Sequence, residues 1–160
     1  MQLYNFVKRR ETILSPSEIS ILLDATQNRY YRLALMIGLN SGISSSELLA
    51  IRSTDIDLHR GILHIVGGAG SRDIELKGKI LTFIIEGRYI SDDSSAGLLF
   101  PFSVTMLNKY MDYCSKKLKK PLSWRDIRHT YVAISAAAGV KPEVVAKNIG
   151  TSIDTIVGYF

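Results

Sequence analysis

The chain has 160 residues, 46% of them hydrophobic, and sets 20 Lys plus Arg against 15 Asp plus Glu, a net charge of +5. That length suits one domain with a real core, and the sign of the charge favours a polyanionic partner. The single cysteine, Cys114, excludes an intrachain disulfide framework and suggests a reducing, cytoplasmic setting in which it serves packing. No apolar run approaches bilayer length and residues 1–11 lack a signal-peptide core. His59, His64, His129 and Cys114 are too scattered for a metal site.

Ser15-Pro16-Ser17-Glu18 is a capping box with proline at the first helical position, which predicts a helix reaching Ala25. Residues 29–40 carry Leu33, Met36, Ile37 and Leu39 at helical spacing and stop at Ser41-Gly42. A second capping box, Ser44-Ser45-Ser46-Glu47, starts a third helix through Ile51. The period then changes. Ile56 and Leu58 share one face of a short strand, His59-Arg60-Gly61 supplies a turn, and residues 62–66 form a second strand. Gly67-Gly68-Ala69-Gly70 turns into a third strand, residues 72–76, completing an antiparallel meander. That glycine run lacks the lysine and hydroxyl of a phosphate loop and stands between strands, so it reads as a hairpin turn.

Helical spacing returns over residues 79–88, a polar loop covers 91–97, and a long helix runs from Ser103 to Leu118. Residues 125–138 form a helix ending at Gly139, residues 142–149 another ending at Gly150, and Ser152 opens a last short one. The expected class is α+β, mainly helical with a small three-stranded antiparallel sheet.

Positive charge concentrates near the carboxyl end. Lys116, Lys117, Lys119, Lys120, Arg125 and Arg128 lie within thirteen residues that hold one acid, Asp126. Three-residue spacing puts Arg125 and Arg128 on one side of a helix, where guanidinium forks match phosphate oxygens. These six are the candidate DNA-binding residues, expected to share a concave surface suited to a double helix.

Helices, a meander, more helices, an arginine-bearing helix and a terminal Tyr159-Phe160 resemble the catalytic domain of the tyrosine recombinases, the phage integrase family. Two segments carry the resemblance. Residues 41–58, with Ser46-Glu47-Leu48 and Asp55-Ile56-Asp57, look like the family's first box. Residues 124–160, with Arg128-His129-Thr130 and Gly150-Thr151-Ser152, look like the second box and tail. The resemblance implies cleavage of DNA by a tyrosine, with no metal or cofactor, around two arginines and histidine-type donors, while a lysine on the meander protonates the leaving oxygen.

Carried over, the second-box arginine falls on Arg128, the histidine three residues earlier on Arg125, and the later His or Trp position on Thr151. The first-box arginine falls on Ser44, which looks like a helix cap. The lysine falls near Gly67, with Arg72, Lys77 and Lys79 nearby. The nucleophile's usual spacing lands on Phe160, and Tyr159 is the nearest phenol, either the nucleophile or a packing aromatic. His129 and Trp124 are expected to pack. The candidate catalytic set is Arg128, Tyr159, Arg125 and Thr151. These readings point to double-stranded DNA as partner, with self-association on it, and to one catalytic-type domain over residues 1–160 without the family's amino-terminal DNA-binding domain. The expected function is DNA binding in recombination or integration with impaired cleavage. The alternatives are an active recombinase using Tyr159 and a non-catalytic regulator or assembly protein.

Overall fold

The computed structural model describes residues 13–67, 70–90 and 97–160. In chain order it contains α1 (Pro16–Ala25), α2 (Arg29–Ser41), α3 (Ser45–Ala50), β1 (Ile56–Asp57), β2 (Ile62–Gly67) and β3 (Gly70–Glu75). Then follow α4 (Gly78–Glu86), α5 (Val104–Leu118), α6 (Trp124–Ala137), α7 (Pro142–Ile149) and α8 (Ile153–Ile156), with a closing 3-10 turn, Val157–Tyr159. The sheet has the order β1-β2-β3 and is antiparallel throughout. The expected mainly helical α+β class is what the chain adopts.

Local chemistry explains the helix starts. Ser15 and Ser44 both form complete capping boxes, with Glu18 and Glu47 returning the bond to the cap backbone. Gly42 and Gly150 end α2 and α7 in the left-handed region, at φ 64° and 69°. Boundaries shift slightly from the expected ones. Ile51 is the cap of α3, β1 stops at Asp57, and Trp124 already belongs to α6. Gly67 and Gly70, expected in the glycine turn, pair with each other as strand residues, and Gly68 and Ala69 lie outside the described residues. Most of the expected polar loop, 91–96, also lies outside them, as does the amino-terminal segment.

The main core gathers Leu33, Leu35 and Ile37 of α2, Leu63 and Ile65 of β2, Leu107 and Met111 of α5, and Ile127 of α6. Cys114 is fully buried in it, as its packing role requires. Trp124 is 5% exposed and donates its indole N–H to the Ile43 carbonyl at 3.0 Å, tying the start of α6 to the turn between α2 and α3. A separate, smaller cluster of Tyr131, Val132, Val145, Ala146, Ile149 and Ile156 fastens α7 and α8 onto the far part of α6. Among the described residues no helix is long and apolar enough to cross a membrane.

A candidate phosphate-binding site around Arg128

Helix α6 enters the site because its opposite face is apolar: Trp124, Ile127, Tyr131 and Val132 are buried, which turns Arg125 and Arg128 outward between the sheet and the α7–α8 corner. Arg128 is half-buried and donates from Nη2 to the Ile149 carbonyl at 2.8 Å. It borders two recesses. One, about 170 Å³, is lined by Arg125, Arg128, His129, Thr151 and Tyr159 among others. The other, about 350 Å³, lies between Arg128, Ser44, Ser46, Glu47 and Gly67. The structure therefore brings the four candidate catalytic residues, Arg125, Arg128, Thr151 and Tyr159, around one hollow.

Tyr159 reaches that hollow although it stands one residue short of the expected spacing. An α-helix would swing its side chain about 100° away from the next position. The chain instead leaves α8 after Ile156 and closes in a 3-10 turn, and Tyr159 meets the His129 ring edge-on at 5.9 Å. Phe160 is 45% exposed and is not among the residues lining the hollow.

On the other side Ser44 is committed to its cap. Its Oγ accepts from the Glu47 N–H at 3.2 Å, and Glu47 Oε1 accepts from the Ser44 N–H at 3.0 Å. No guanidinium is supplied from this position. Arg72, one of the alternatives near the glycine turn, points into the protein instead. Its side chain is 6% exposed, donates to both carboxylate oxygens of Glu47 at 2.6 and 3.0 Å, and donates from Nε to the Asn148 carbonyl at 2.6 Å. Lys77 caps the start of α4 and Lys79 is exposed; neither lines the two recesses.

Burial pushes the Glu47 carboxyl up, but the hydrogen bonds and charge of Arg72 and the Ser44 N–H outweigh it and hold the group below its usual range. For Arg128, burial lowers proton affinity; the Glu47 carboxylate opposes this, while Arg72 and Arg125 add to it. The guanidinium remains charged at any physiological pH. What the hollow offers is a partly desolvated cation with an exposed second one, Arg125, beside a hydroxyl and a phenol. Such a set holds an anion strongly.

The lysines are placed elsewhere. Lys120 pairs with Glu18 at 2.7 Å, and the Lys117 ammonium sits 5.4 Å from the centre of the Tyr113 ring, whose hydroxyl donates to the Ala25 carbonyl. That anchors Lys117 beside the amino end of α2, whereas Arg128 borders the recess beyond its carboxyl end, and α2 itself is about 20 Å long at 1.5 Å per residue. Lys116 and Lys119 are exposed, and none of the four lysines lines either recess. Sequence reasoning missed the Glu47–Arg72 pair. Its signal was the alternation of β3, which puts Arg72 on the same face as Ile74.

The comparisons agree with this architecture. The chain is 23% identical over 144 residues to the tyrosine recombinase XerA of Saccharolobus solfataricus, covering 89% of this chain and 50% of that protein. A crystal structure of XerA recombinase superposes with a TM-score of 0.80 at 18% identity, over 92% of this chain and 59% of the other. The chain carries the tyrosine recombinase catalytic fold. The resemblance read from residues 41–58 and 124–160 is thereby borne out. The Tn1549 transposon integrase in complex with a circular intermediate DNA matches with a TM-score of 0.74 at 19% identity, over 92% of this chain and 60% of that one. XerH site-specific recombinase bound to its difH substrate matches with 0.75 at 19%, over 93% and 50%. No family model matches the chain. The chain thus spans half the length of the curated relative and half to three fifths of these structures.

Proposed function

We propose that this chain is a DNA-binding domain of the tyrosine recombinase type, acting in site-specific recombination or integration, with cleavage strongly impaired. The observation that carries it is the convergence of Arg125, Arg128, Thr151 and Tyr159 on one hollow in a fold shared with recombinases whose structures contain DNA. A phosphodiester oxygen sits against the Arg128 fork, with Arg125 at the rim and the Thr151 hydroxyl as a further donor. These are backbone contacts, so they position a duplex without reading its sequence. The lysines of α5 add to the electrostatic attraction at a distance and do not touch the hollow. Impairment follows from Ser44: removing one preorganised donor from such a site costs roughly a hundred- to a thousandfold in rate. The domain covers residues 1–160, and its self-association occurs on DNA.

Binding of a short duplex, measured against salt, tests the proposal. Each phosphate contact contributes about 0.9 to the slope of log affinity against log salt, so Arg128→Ala should flatten the slope by about that amount. Absence of duplex binding at low salt would sink the reading and favour a protein-contact role. A second reading, cleavage by Tyr159, is favoured by the placement of its ring in the hollow. A nicked suicide duplex decides between them. A covalent adduct that disappears in Tyr159→Phe establishes the second reading, and no adduct alongside tight binding supports the first.

A further inference from the structure

Arginine at position 72 is buried, and its charge is spent inside the protein. Replacing a buried ion pair by apolar residues is often harmless to stability, so a pair retained beside a binding site invites a question about what else it does. Two arginines end on consecutive carbonyls at the carboxyl end of α7: Arg72 Nε on Asn148 and Arg128 Nη2 on Ile149. Their guanidiniums come from different elements, β3 and α6, and converge on one place. The Glu47 carboxylate stands beside that place. It holds Arg72 through both oxygens and borders the same recess as Arg128.

We infer that Arg72 is a positioning residue: it occupies the Glu47 carboxylate so that Glu47 does not capture Arg128, and the Arg128 fork stays turned to the hollow where phosphate binds. Two observations favour this over a purely structural role. Glu47 is held by a bidentate fork as well as by the Ser44 cap, and it forms no ion pair with Arg128 although both border the same recess. The Glu47 charge is also the strongest charged influence on Arg128, ahead of Arg72 and Arg125. Remove Arg72, and the nearest counter-ion for a partly desolvated carboxylate is Arg128. The fork then pairs inward, and the phosphate contact is lost although the residue is still present.

This inference rests on reading Arg128 as a phosphate contact, so its test has one arm that needs no DNA. In that arm, carboxyl-carbon NMR follows the titration of Glu47. Arg72→Met should leave the Glu47 midpoint below the ordinary value of 4.5, because Arg128 takes over as counter-ion. Arg72→Met with Arg128→Ala should raise it above its value in Arg72→Met alone, because burial is then opposed only by the Ser44 hydrogen bonds. A midpoint that rises fully in Arg72→Met alone overturns the inference. In the second arm, Arg72→Met should flatten the salt slope of duplex binding by about 0.9, as Arg128→Ala does, and Arg128→Ala should then add no further loss. Adding Glu47→Gln, which keeps an acceptor for the Ser44 N–H but carries no charge, should restore the slope. A structural role predicts no restoration, and that result overturns the inference. If Arg128→Ala leaves the slope of the parent chain unchanged, the DNA-binding reading falls while the titration still decides the counter-ion role. Should Arg72→Met not fold, Arg72→Gln, which retains a donor for the Asn148 carbonyl, takes its place in both arms.

Discussion

Ser44 is where two demands on one position compete. A capping hydroxyl contributes about 1 kcal/mol to helix stability, and a guanidinium there would contribute charge to the recess it borders. Ser44→Arg should therefore lower stability by about 0.5–2 kcal/mol in urea denaturation while steepening the salt slope of duplex binding by about 0.9. An unchanged slope would mean that position 44 does not face the phosphate. Glu47 supplies a second prediction. Its folded-state proton affinity is depressed, so its stabilising contribution is complete above the ordinary value of 4.5 and is lost as pH falls through the lower folded-state value. Glu18, held by Lys120 and the Ser15 cap, acts in the same direction, so Glu47→Gln should remove only part of the acid sensitivity. Denaturation midpoints measured from neutral pH to below 4 check the sign: the parent falls steeply and Glu47→Gln falls less.

At the scale of elements, the site depends on how closely α6 approaches α2. Gly38 lies under the Trp124 ring, where a Cβ would stand 2.6 Å from Cη2 and 3.0 Å from the Ile127 side chain. Trp124 is held in turn by its bond to the Ile43 carbonyl. Gly38→Ala should therefore cost about 1–3 kcal/mol by overpacking, read as a lower denaturation midpoint, and should weaken duplex binding by shifting α6 and its arginines. A stability loss without any change in binding would show that the arginines do not depend on this contact. By local preference alone a glycine inside a helix is a weak spot. The reason for Gly38 is the indole that lies across it.

For the whole molecule, the division of the apolar side chains into two clusters sets the dynamics. Leu33 and Leu107 are fully buried in the main core, and truncation of either to Ala should cost about 2–5 kcal/mol. The smaller cluster under α7 and α8 has few members, and Tyr159 packs against it. Native-state hydrogen exchange should show α7 and α8 opening at lower free energy than α2 and α6. Equal protection across these helices would refute a separable carboxyl-terminal unit. The same division gives Val145→Ala a milder global cost than Leu33→Ala.

Much of this fold was legible in the chain because its signals are local. Two Ser-x-x-Glu boxes, two left-handed glycines and the change of period at Asp55 each act over a few residues, and the elements appeared within a residue or two of their expected bounds. The gathering of Arg125, Arg128, Thr151 and Tyr159 was legible through the family resemblance. What stayed out of reach was pairing across long separations. The basic run looked like one surface because its members are close in sequence, but Lys117 and Lys120 follow α5 toward α1 and the start of α2, while Arg128 belongs to the next helix. Likewise Arg72 was a stand-in for the family's lysine, and nothing nearby in the chain named Glu47 as its partner, 25 residues away. Backbone preference and hydrophobic period act between neighbours along the chain, so the sequence by itself determined the helices, the meander and their caps. Charge acts through space, so only the tertiary structure decided which carboxylate each arginine meets, and which guanidinium is left facing the hollow.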